Sequence, residues 1–224
     1  MTITMTAEQI QRGNKVNNQP LVSDLLGEQK VVPVVVIENE EQAHGLAKAL
    51  LAGGVTVIEI TLRNAYGIKA IELMKQHYPE MVVLAGTVNT PNQLASVVKA
   101  GVDGVISPGI TRSLIEAAQQ QGIPYLPGVA TASEVLLAIE YGLRECKLFP
   151  ATVVGGIGAL KALNGPFPNM KFCPTGGVSE GNYMDFMALP NVMCVGGSWI
   201  APSNLVAEQN WSEITTRCKT VVQS

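Results

Sequence analysis

Short runs of apolar and often β-branched residues alternate with longer segments that mix polar and apolar positions, from Val31 to the end of the chain. Eight such runs occur: VVPVVVI from Val31, TVIEITL from Thr56, MVVLAGTV from Met81, GVISPG from Gly104, PYLPGV from Pro124, ECKLFPA from Glu145, MKFCPTGG from Met170 and VMCVGGSWI from Val192. Their starts lie about 20–25 residues apart, a spacing that suits one strand, one helix and two short loops. The pattern predicts eight strand–helix units.

The segments between the runs carry helix start signals. Thr90 followed by Pro91 suits an N-cap and the first helical position. Thr131 and Glu134 have the spacing of a capping box, and Ser179 predicts a weaker start. These signals support a helix after the third, fifth and seventh runs.

Eight repeated units predict an α/β fold, a (β/α)₈ barrel of the TIM type, whose usual length is about 250 residues. A doubly wound open sheet is the alternative, because periodicity alone does not show that a sheet closes. No GxGxxG motif follows the first run, so no dinucleotide site is expected. The barrel is the preferred prediction.

Composition adds limits on organisation and partners. The 224 residues predict one barrel domain over residues 21–224, after a polar extension over residues 1–20 that forms a short helix or a loose tail. Only 15% of the residues are charged, against about 25% in typical domains, which hints at additional burial at subunit interfaces. The net charge is −3 without a basic cluster, so no nucleic acid partner is expected.

Two further features bear on location. No segment approaches the ~18 apolar residues of a membrane span, and the first residues lack the apolar region of a signal peptide, so neither a membrane partner nor secretion is expected. The four cysteines show no metal-binding spacing, and we expect small core residues in a reducing cytoplasm. They are Cys146, Cys173, Cys194 and Cys218.

Lys147 is the unusual residue of the sixth run, because an unpaired ammonium group is costly to bury. Side chains alternate faces along a strand, so Lys147 and Phe149 share one face and Cys146 and Leu148 share the other. Active sites of (β/α)₈ barrels lie at the carboxyl ends of the strands. Lys147 lies late in its run and therefore belongs to the candidate site.

The second run places further charges on one face. Glu59, Thr61 and Arg63 alternate with Ile58 and Ile60, which are expected to pack against helices. If the polar face points into the barrel, a carboxylate, a guanidinium and the amine of the sixth run converge near the mouth. Such a group is either a structural ion-pair network or a catalytic site in which a free amine attacks a carbonyl.

Glycine pairs follow the last two runs. Backbone N–H groups after strands seven and eight form the usual phosphate site of these barrels. Gly176-Gly177 and Gly197-Ser198 fall in those two loops. Each pair alone is typical of a tight turn, and together they indicate a phosphorylated ligand.

Six motifs in this order, VIEITLR, AGTV, ISPG, KLFPA, FCPTGG and GGSW, resemble those of the 2-keto-3-deoxy-6-phosphogluconate (KDPG) aldolase family, also called 4-hydroxy-2-oxoglutarate aldolases. The similarity extends from about Val31 to the C-terminal segment. It implies a (β/α)₈ barrel, usually a homotrimer, that acts as a class I, Schiff-base lyase in the Entner-Doudoroff pathway of carbohydrate metabolism. It also implies that the enzyme needs no metal and no cofactor.

The resemblance assigns roles by position. The Schiff-base lysine corresponds to Lys147 and the general acid–base to Glu59, while Arg63 and Thr87 hold the carboxylate of the keto acid. The remaining substrate-binding positions that it implies are Pro108, Phe149, Thr175, Gly176, Gly177, Gly197 and Ser198. The expected substrates are the sugar phosphate KDPG, which yields pyruvate and glyceraldehyde 3-phosphate, and 4-hydroxy-2-oxoglutarate.

One position departs from the family pattern, because many members read FPAE where this chain reads FPAT, with Thr152 in place of an acid. Three other functions stay open. A metal-dependent aldolase is disfavoured because the two histidines, His44 and His77, fall in helical segments. A phosphate-binding isomerase barrel and a non-catalytic sugar-phosphate binding protein would share the glycine loops, but neither needs Lys147.

Overall fold

A computed structural model describes residues 20–223, so the predicted extension lies outside the described residues except for Pro20. The strands are β1 (Val31–Val35), β2 (Val57–Thr61), β3 (Val82–Gly86), β4 (Gly104–Ile106), β5 (Tyr125–Leu126), β6 (Gly128–Val129), β7 (Glu145–Leu148), β8 (Lys171–Pro174) and β9 (Val195–Gly197). The helices are α1 (Ser23–Leu26), α2 (Glu40–Ala52), α3 (Gly67–His77), α4 (Pro91–Lys99), α5 (Arg112–Gln121), α6 (Ala132–Glu140), α7 (Gly156–Asn164), α8 (Tyr183–Met187), α9 (Ser203–Ala207) and α10 (Trp211–Val222). None of these helices is long and apolar enough to cross a membrane.

The strands form a closed parallel ring. One sheet has the order β5-β4-β3-β2-β1-β9 and a second has the order β6-β7-β8. Parallel bridges between Phe172 and Val192 and between Thr175 and Gly196 join β8 to β9. Strands β5 and β6 are the two halves of the fifth predicted strand, separated by Pro127, whose missing N–H interrupts the ladder. The (β/α)₈ barrel is therefore confirmed, and the open-sheet alternative is wrong.

Because the fifth strand is split, the predicted sixth, seventh and eighth strands are β7, β8 and β9. Two apolar clusters flank the ring. Ile58, Ile60, Cys146 and Leu148 pack on its outer face among the helices, whereas Val57 belongs to the interior cluster. The interior cluster comprises Val22, Leu26, Val32, Val57, Leu84, Ile106, Leu126, Cys173 and Cys194. The predicted alternation of faces in β2 and β7 is thus confirmed.

Two of the three helix starts follow the sequence signals. The Thr90 side chain accepts a hydrogen bond from the backbone N–H of Gln93, and Thr131 forms the predicted capping box with its glutamate at the third helical position. The start at Ser179 is wrong, because α8 begins only at Tyr183. The N–H of Ser179 instead donates to the Asn182 side chain, which forms a short turn before the helix.

The segment that includes α1 closes the end of the barrel where the strands begin. Glu145, at the start of β7, has only 4% of its surface exposed. Its Oε2 atom accepts hydrogen bonds from the backbone N–H groups of Val22 at 2.8 Å and Ser23 at 3.2 Å. Val22 and Leu26 join the interior cluster. Apolar side chains therefore cover this end of the barrel.

All four cysteines are buried and none forms a disulfide. The expectation that they are small core residues is confirmed. Two of them, Cys173 and Cys194, belong to the interior cluster, so their thiols lie within the barrel below the mouth.

Candidate active site

A buried ion pair joins opposite walls of the barrel. The Nζ atom of Lys147 on β7 lies 3.0 Å from Oε1 and 3.2 Å from Oε2 of Glu59 on β2. The two residues are only 5% and 2% exposed. Either charge alone would be costly in this interior, because desolvation without a partner costs several kcal/mol. Separating the two side chains would leave each charge buried without a partner. Burial therefore favours the pair in addition to the attraction between its charges.

Gly86 makes room for this pair. It ends β3 next to β2, and the Glu59 carboxyl group lies over its Cα. A Cβ atom at this position would overlap Oε1 of Glu59 and would stand 2.7 Å from Cγ and 2.8 Å from Cδ. Glycine is required because another side chain approaches the backbone closely. Sequence reasoning missed this role, although a glycine within a strand is itself a signal of close approach.

An aromatic ring and a thiol complete the surroundings of the amine. Lys147 Nζ lies 5.4 Å from the centroid of the Phe149 ring, which suits a cation–π interaction. Cys173 on β8 is the register partner of Lys147. A hydrogen bond from the Cys194 thiol lowers the pKa of Cys173, and the positive charge of Lys147 acts in the same direction against the effect of burial. The same hydrogen bond, followed by burial, raises the pKa of Cys194 well above its ordinary value.

Sequence reasoning treated these two thiols only as core residues. It missed their proximity to the amine because the register between strands is not readable from one strand alone.

Thr87 follows β3 in an unusual backbone conformation. Its φ angle is 60°, in the left-handed region that a β-branched residue rarely adopts. Such a conformation costs on the order of 1–3 kcal/mol and persists only where the surroundings impose it. The next residue imposes it here, since Val88 is fully buried and its N–H donates to the carbonyl of Ile106.

Arg63 stands beyond the end of β2 with its side chain exposed. Within residues 20–223, no acidic side chain forms an ion pair with it, so the structure offers no partner for a purely structural role. Thr61, two residues earlier, instead donates its hydroxyl to the carbonyl of Val35 and holds β2 against β1. The guanidinium remains available to a ligand at the mouth.

A buried hydroxyl pair holds the turn that contains Pro108. The Ser107 hydroxyl donates to the carbonyl of Gly109 at 2.6 Å and lies 2.7 Å from the Tyr125 hydroxyl. Burial raises the pKa of Tyr125, so the phenol stays protonated and neutral. The turn is fixed by these bonds, and the Pro108 carbonyl lies close against the backbone of Gly128.

The loops after β7, β8 and β9 are joined to one another by backbone contacts. The N–H of Ala151 donates to the carbonyl of Thr175 at 2.7 Å, and Thr175 bridges Gly196. Gly176 and Gly177 follow with φ angles of 96° and 78°, which favour glycine. Among the described residues, no acceptor takes a hydrogen bond from the N–H of Gly176 or of Gly177. Two backbone donors of this loop are therefore available to a ligand.

The predicted site residues thus fall into three sets. Lys147, Glu59 and Phe149 lie in one group inside the barrel. The second set lies on neighbouring strand ends: Thr175, Gly176, Gly177, Gly197 and Ser198. The third set consists of Arg63, Thr87 and Pro108, which follow β2, β3 and β4 and form no hydrogen bond or ion pair with Lys147 or Glu59.

Comparisons with known proteins point to one family. The sequence model of the aldolase family "KDPG and KHG aldolase" matches residues 22–217. A 2-dehydro-3-deoxy-phosphogluconate aldolase from Dickeya dadantii is 49% identical over 192 residues, which cover 86% of this chain and 90% of that protein. A KHG/KDPG aldolase from Escherichia coli is 47% identical over 193 residues, with 86% of this chain and 91% of that protein covered.

A solved structure is also similar. It is the crystal structure of KDPG aldolase from Legionella pneumophila with pyruvate captured at low pH as a covalent carbinolamine intermediate. Its TM-score is 0.87 at 48% sequence identity, and the match covers 89% of this chain and 97% of that chain. The likeness therefore spans the barrel and the loops at its mouth.

The contact between Gly86 and Glu59 yields a testable prediction. Gly86→Ala introduces a Cβ atom at a position that the Glu59 carboxyl group already occupies. The Glu59 side chain must therefore move away from Lys147. We expect the free energy of unfolding in urea to fall by about 1–3 kcal/mol, as for other overpacked interiors. Gly158→Ala is the matched control, since nothing lies within 4 Å of its Cβ position in α7. Equal stability of the two variants would contradict the packing argument.

Proposed function

The chain belongs to the KDPG and KHG aldolase family, and on that premise we propose that it is a class I aldolase in which Lys147 forms a Schiff base with a 2-keto acid. It cleaves KDPG to pyruvate and glyceraldehyde 3-phosphate. It also acts on 4-hydroxy-2-oxoglutarate (KHG), as the double name of the E. coli relative suggests. The observation that carries the proposal is the distance of 3.0 Å between Lys147 Nζ and Glu59 Oε1 inside the barrel.

The first step requires a neutral amine. Glu59 lies within hydrogen-bond distance of the ammonium group, so a proton can pass from Lys147 without rearrangement of either side chain. The free amine then adds to the C2 carbonyl of the keto acid and forms a carbinolamine. Loss of water from this adduct leaves an iminium ion on Lys147. The pyruvate adduct of the Legionella relative is a carbinolamine of this kind.

The iminium ion acts as an electron sink for the second step. A base removes the proton of the C4 hydroxyl, the C3–C4 bond breaks, and its electron pair is held as an enamine. The C4 fragment leaves as an aldehyde, which is glyceraldehyde 3-phosphate when the substrate is KDPG. We assign both this proton transfer and the later protonation of the enamine at C3 to Glu59, acting through a water molecule. Hydrolysis of the resulting iminium releases pyruvate and regenerates Lys147.

The two ends of the substrate are held by different parts of the mouth. We assign the C1 carboxylate to Arg63 and Thr87, because a guanidinium binds a carboxylate through two parallel hydrogen bonds. We place Pro108 and Phe149 beside the carbon atoms between the two ends of the substrate. The phosphate is assigned to the loops of Thr175, Gly176, Gly177, Gly197 and Ser198. The unused N–H groups of Gly176 and Gly177 support this assignment.

Trapping with borohydride tests the reactive lysine. Sodium borohydride plus pyruvate should reduce the iminium and attach a stable pyruvyl-derived group to the peptide that contains Lys147, as measured by mass spectrometry. Activity should survive EDTA, because no step of the proposed reaction uses a metal. Lys147→Met should abolish labelling, whereas Lys171→Met should not, since that exposed amine bonds the carbonyl of Pro190.

Glu59→Gln distinguishes the role of Lys147 as nucleophile from the role of Glu59 as proton carrier. This variant should still be labelled at Lys147 but lose ~10²–10⁴-fold in turnover, the usual contribution of general acid–base catalysis. A label on a different lysine would disprove the proposed nucleophile. The absence of any label would favour an isomerase or a binding protein instead.

Replacing Arg63 tests how the carboxylate is held. Arg63→Lys keeps the charge but loses the planar fork, so kcat/KM should fall by the equivalent of about 1–3 kcal/mol. KDPG and KHG should be affected alike, because both carry this carboxylate. Arg144→Lys is the control, since this exposed arginine immediately precedes β7 at the opposite end of the barrel. Unchanged kinetics with a lowered melting temperature would instead make Arg63 a structural residue.

The assembly we propose is a homotrimer. Leu136 and Ile139 are 52% and 46% exposed, and three residues of separation place them on one face of α6. Exposed apolar faces of this kind mark protein interfaces. The cytoplasmic location stays a prediction, and the four free thiols are compatible with it.

Light scattering checks the assembly. The expected mass is three times that of the 23.7 kDa chain, and the double substitution of Leu136 and Ile139 by Glu should lower it. Val222→Glu, at another exposed apolar residue near the end of α10, should leave the mass unchanged. A wild-type mass equal to that of one chain would contradict the trimer.

A further inference from the structure

Thr152 contacts the glycine loop from the neighbouring strand end. It lies in the turn after β7, four residues beyond Leu148, and is exposed at the mouth. Its backbone N–H donates to the carbonyl of Gly176 at 3.1 Å, and its hydroxyl donates to the same carbonyl at 3.3 Å. A carbonyl oxygen has two lone pairs and accepts both bonds. One residue thus donates two hydrogen bonds to this carbonyl.

The two bonds determine the direction of a backbone donor. In a planar trans peptide, the C=O of one residue and the N–H of the next point in opposite directions. Because Thr152 holds the Gly176 carbonyl, the N–H of Gly177 must point away from Thr152. This N–H donates to no acceptor among the described residues, so it stays available to a ligand.

Glycine needs such a restraint more than any other residue. Gly176 and Gly177 both have positive φ angles, and without Cβ atoms their shared peptide can rotate at little steric cost. A rotated peptide would present its carbonyl oxygen where the N–H now points. A carbonyl dipole in that orientation repels an anion, so the two orientations bind a phosphate very differently.

The fit between Thr152 and the loop is also steric. A Cβ atom on Gly177 would overlap the hydroxyl of Thr152 and lie 2.7 Å from its Cγ2. Substituting the glycine would therefore displace Thr152 as well as crowd the donors, and the result would not separate the two effects. A substitution at Thr152 itself changes only one of the two, and Thr152 is therefore the position to test.

We propose that Thr152 is a positioning residue for the terminal phosphate of the substrate, and that it contributes to the preference for phosphorylated over unphosphorylated keto acids. This inference rests on the proposed function. Threonine or serine can donate this hydroxyl bond to the Gly176 carbonyl. The glutamate of the FPAE pattern cannot, because an ionised carboxylate has no proton to donate. A glutamate at this position would keep the backbone bond to the Gly176 carbonyl but lose the hydroxyl bond, so the second contact is the one that this chain adds.

The two expected substrates differ at the end that this loop would meet. KDPG carries its phosphate on C6, whereas 4-hydroxy-2-oxoglutarate ends in a carboxylate on C4. The shorter acid does not reach the position of the phosphate. Loss of the Thr152 hydroxyl should consequently affect only the phosphorylated substrate, while a general loss of structure would affect both.

The test compares Thr152→Val, which removes the hydroxyl but keeps the shape, with Thr152→Ser, which keeps the hydroxyl. Thr216→Val is the matched control, because this exposed threonine also donates its hydroxyl to a carbonyl, that of Ser212 in α10. For each variant, kcat and KM are measured with both substrates. The dissociation constant of inorganic phosphate is measured by phosphorus NMR.

Thr152→Val should raise the KM for KDPG and the dissociation constant of phosphate about three- to ten-fold, the value of one hydrogen bond. The kcat for both substrates and the KM for 4-hydroxy-2-oxoglutarate should not change. Thr152→Ser and Thr216→Val should resemble the wild-type protein.

Equal losses on both substrates, or an unchanged dissociation constant of phosphate, would overturn the inference. Failure of the proposed function is distinguishable from this outcome. If the wild-type protein does not cleave KDPG, the aldolase proposal fails, and the phosphate measurement still decides the role of Thr152. A wild-type protein that binds no inorganic phosphate would overturn that role directly.

Discussion

The burial of one lysine against one glutamate is the constraint on which the rest of the interior depends. Lys147 and Glu59 reach toward each other from opposite walls, and each would be costly to bury without the other. The pair therefore requires a barrel that is closed and held at a fixed width. It also requires Gly86, since any larger residue at that position would occupy the space of the carboxyl group.

The two ends of the barrel differ in the residues that line them. At the end where the strands begin, apolar residues fill the interior and Glu145 binds the backbone of the segment that closes it. At the other end, β7 ends at Leu148, and the chain continues through Phe149 into the turn that contains Thr152. The strand β7 and the turn after it thus carry Glu145 at the closed end, the central amine of Lys147, and Thr152 beside the glycine loop.

The loops at the mouth and the charge pair lie at different depths of the barrel. The charge pair lies within the barrel, whereas Gly176 and Gly177 lie at the rim of neighbouring strands. A keto acid that reaches the amine must extend toward the rim to meet their N–H groups. In the proposed reaction, the chemistry at Lys147 and the binding of the phosphate are therefore separate, and we propose that the second depends on the peptide that Thr152 contacts.

The sequence by itself determined the number of units, the alternation of faces in β2 and β7, and the capped starts at Thr90 and Thr131, because these follow from local periodicity and local hydrogen bonds. The strand pattern pointed to Lys147, Glu59, Arg63 and the glycine loops, and the family resemblance assigned their roles. Only the tertiary structure decided that the sheet closes, that Pro127 splits the fifth strand, and that Glu59 meets Lys147 across the barrel. It alone also showed which residues Gly86 and Thr152 contact, because these contacts join residues that are 27 and 24 or 25 positions apart in the chain.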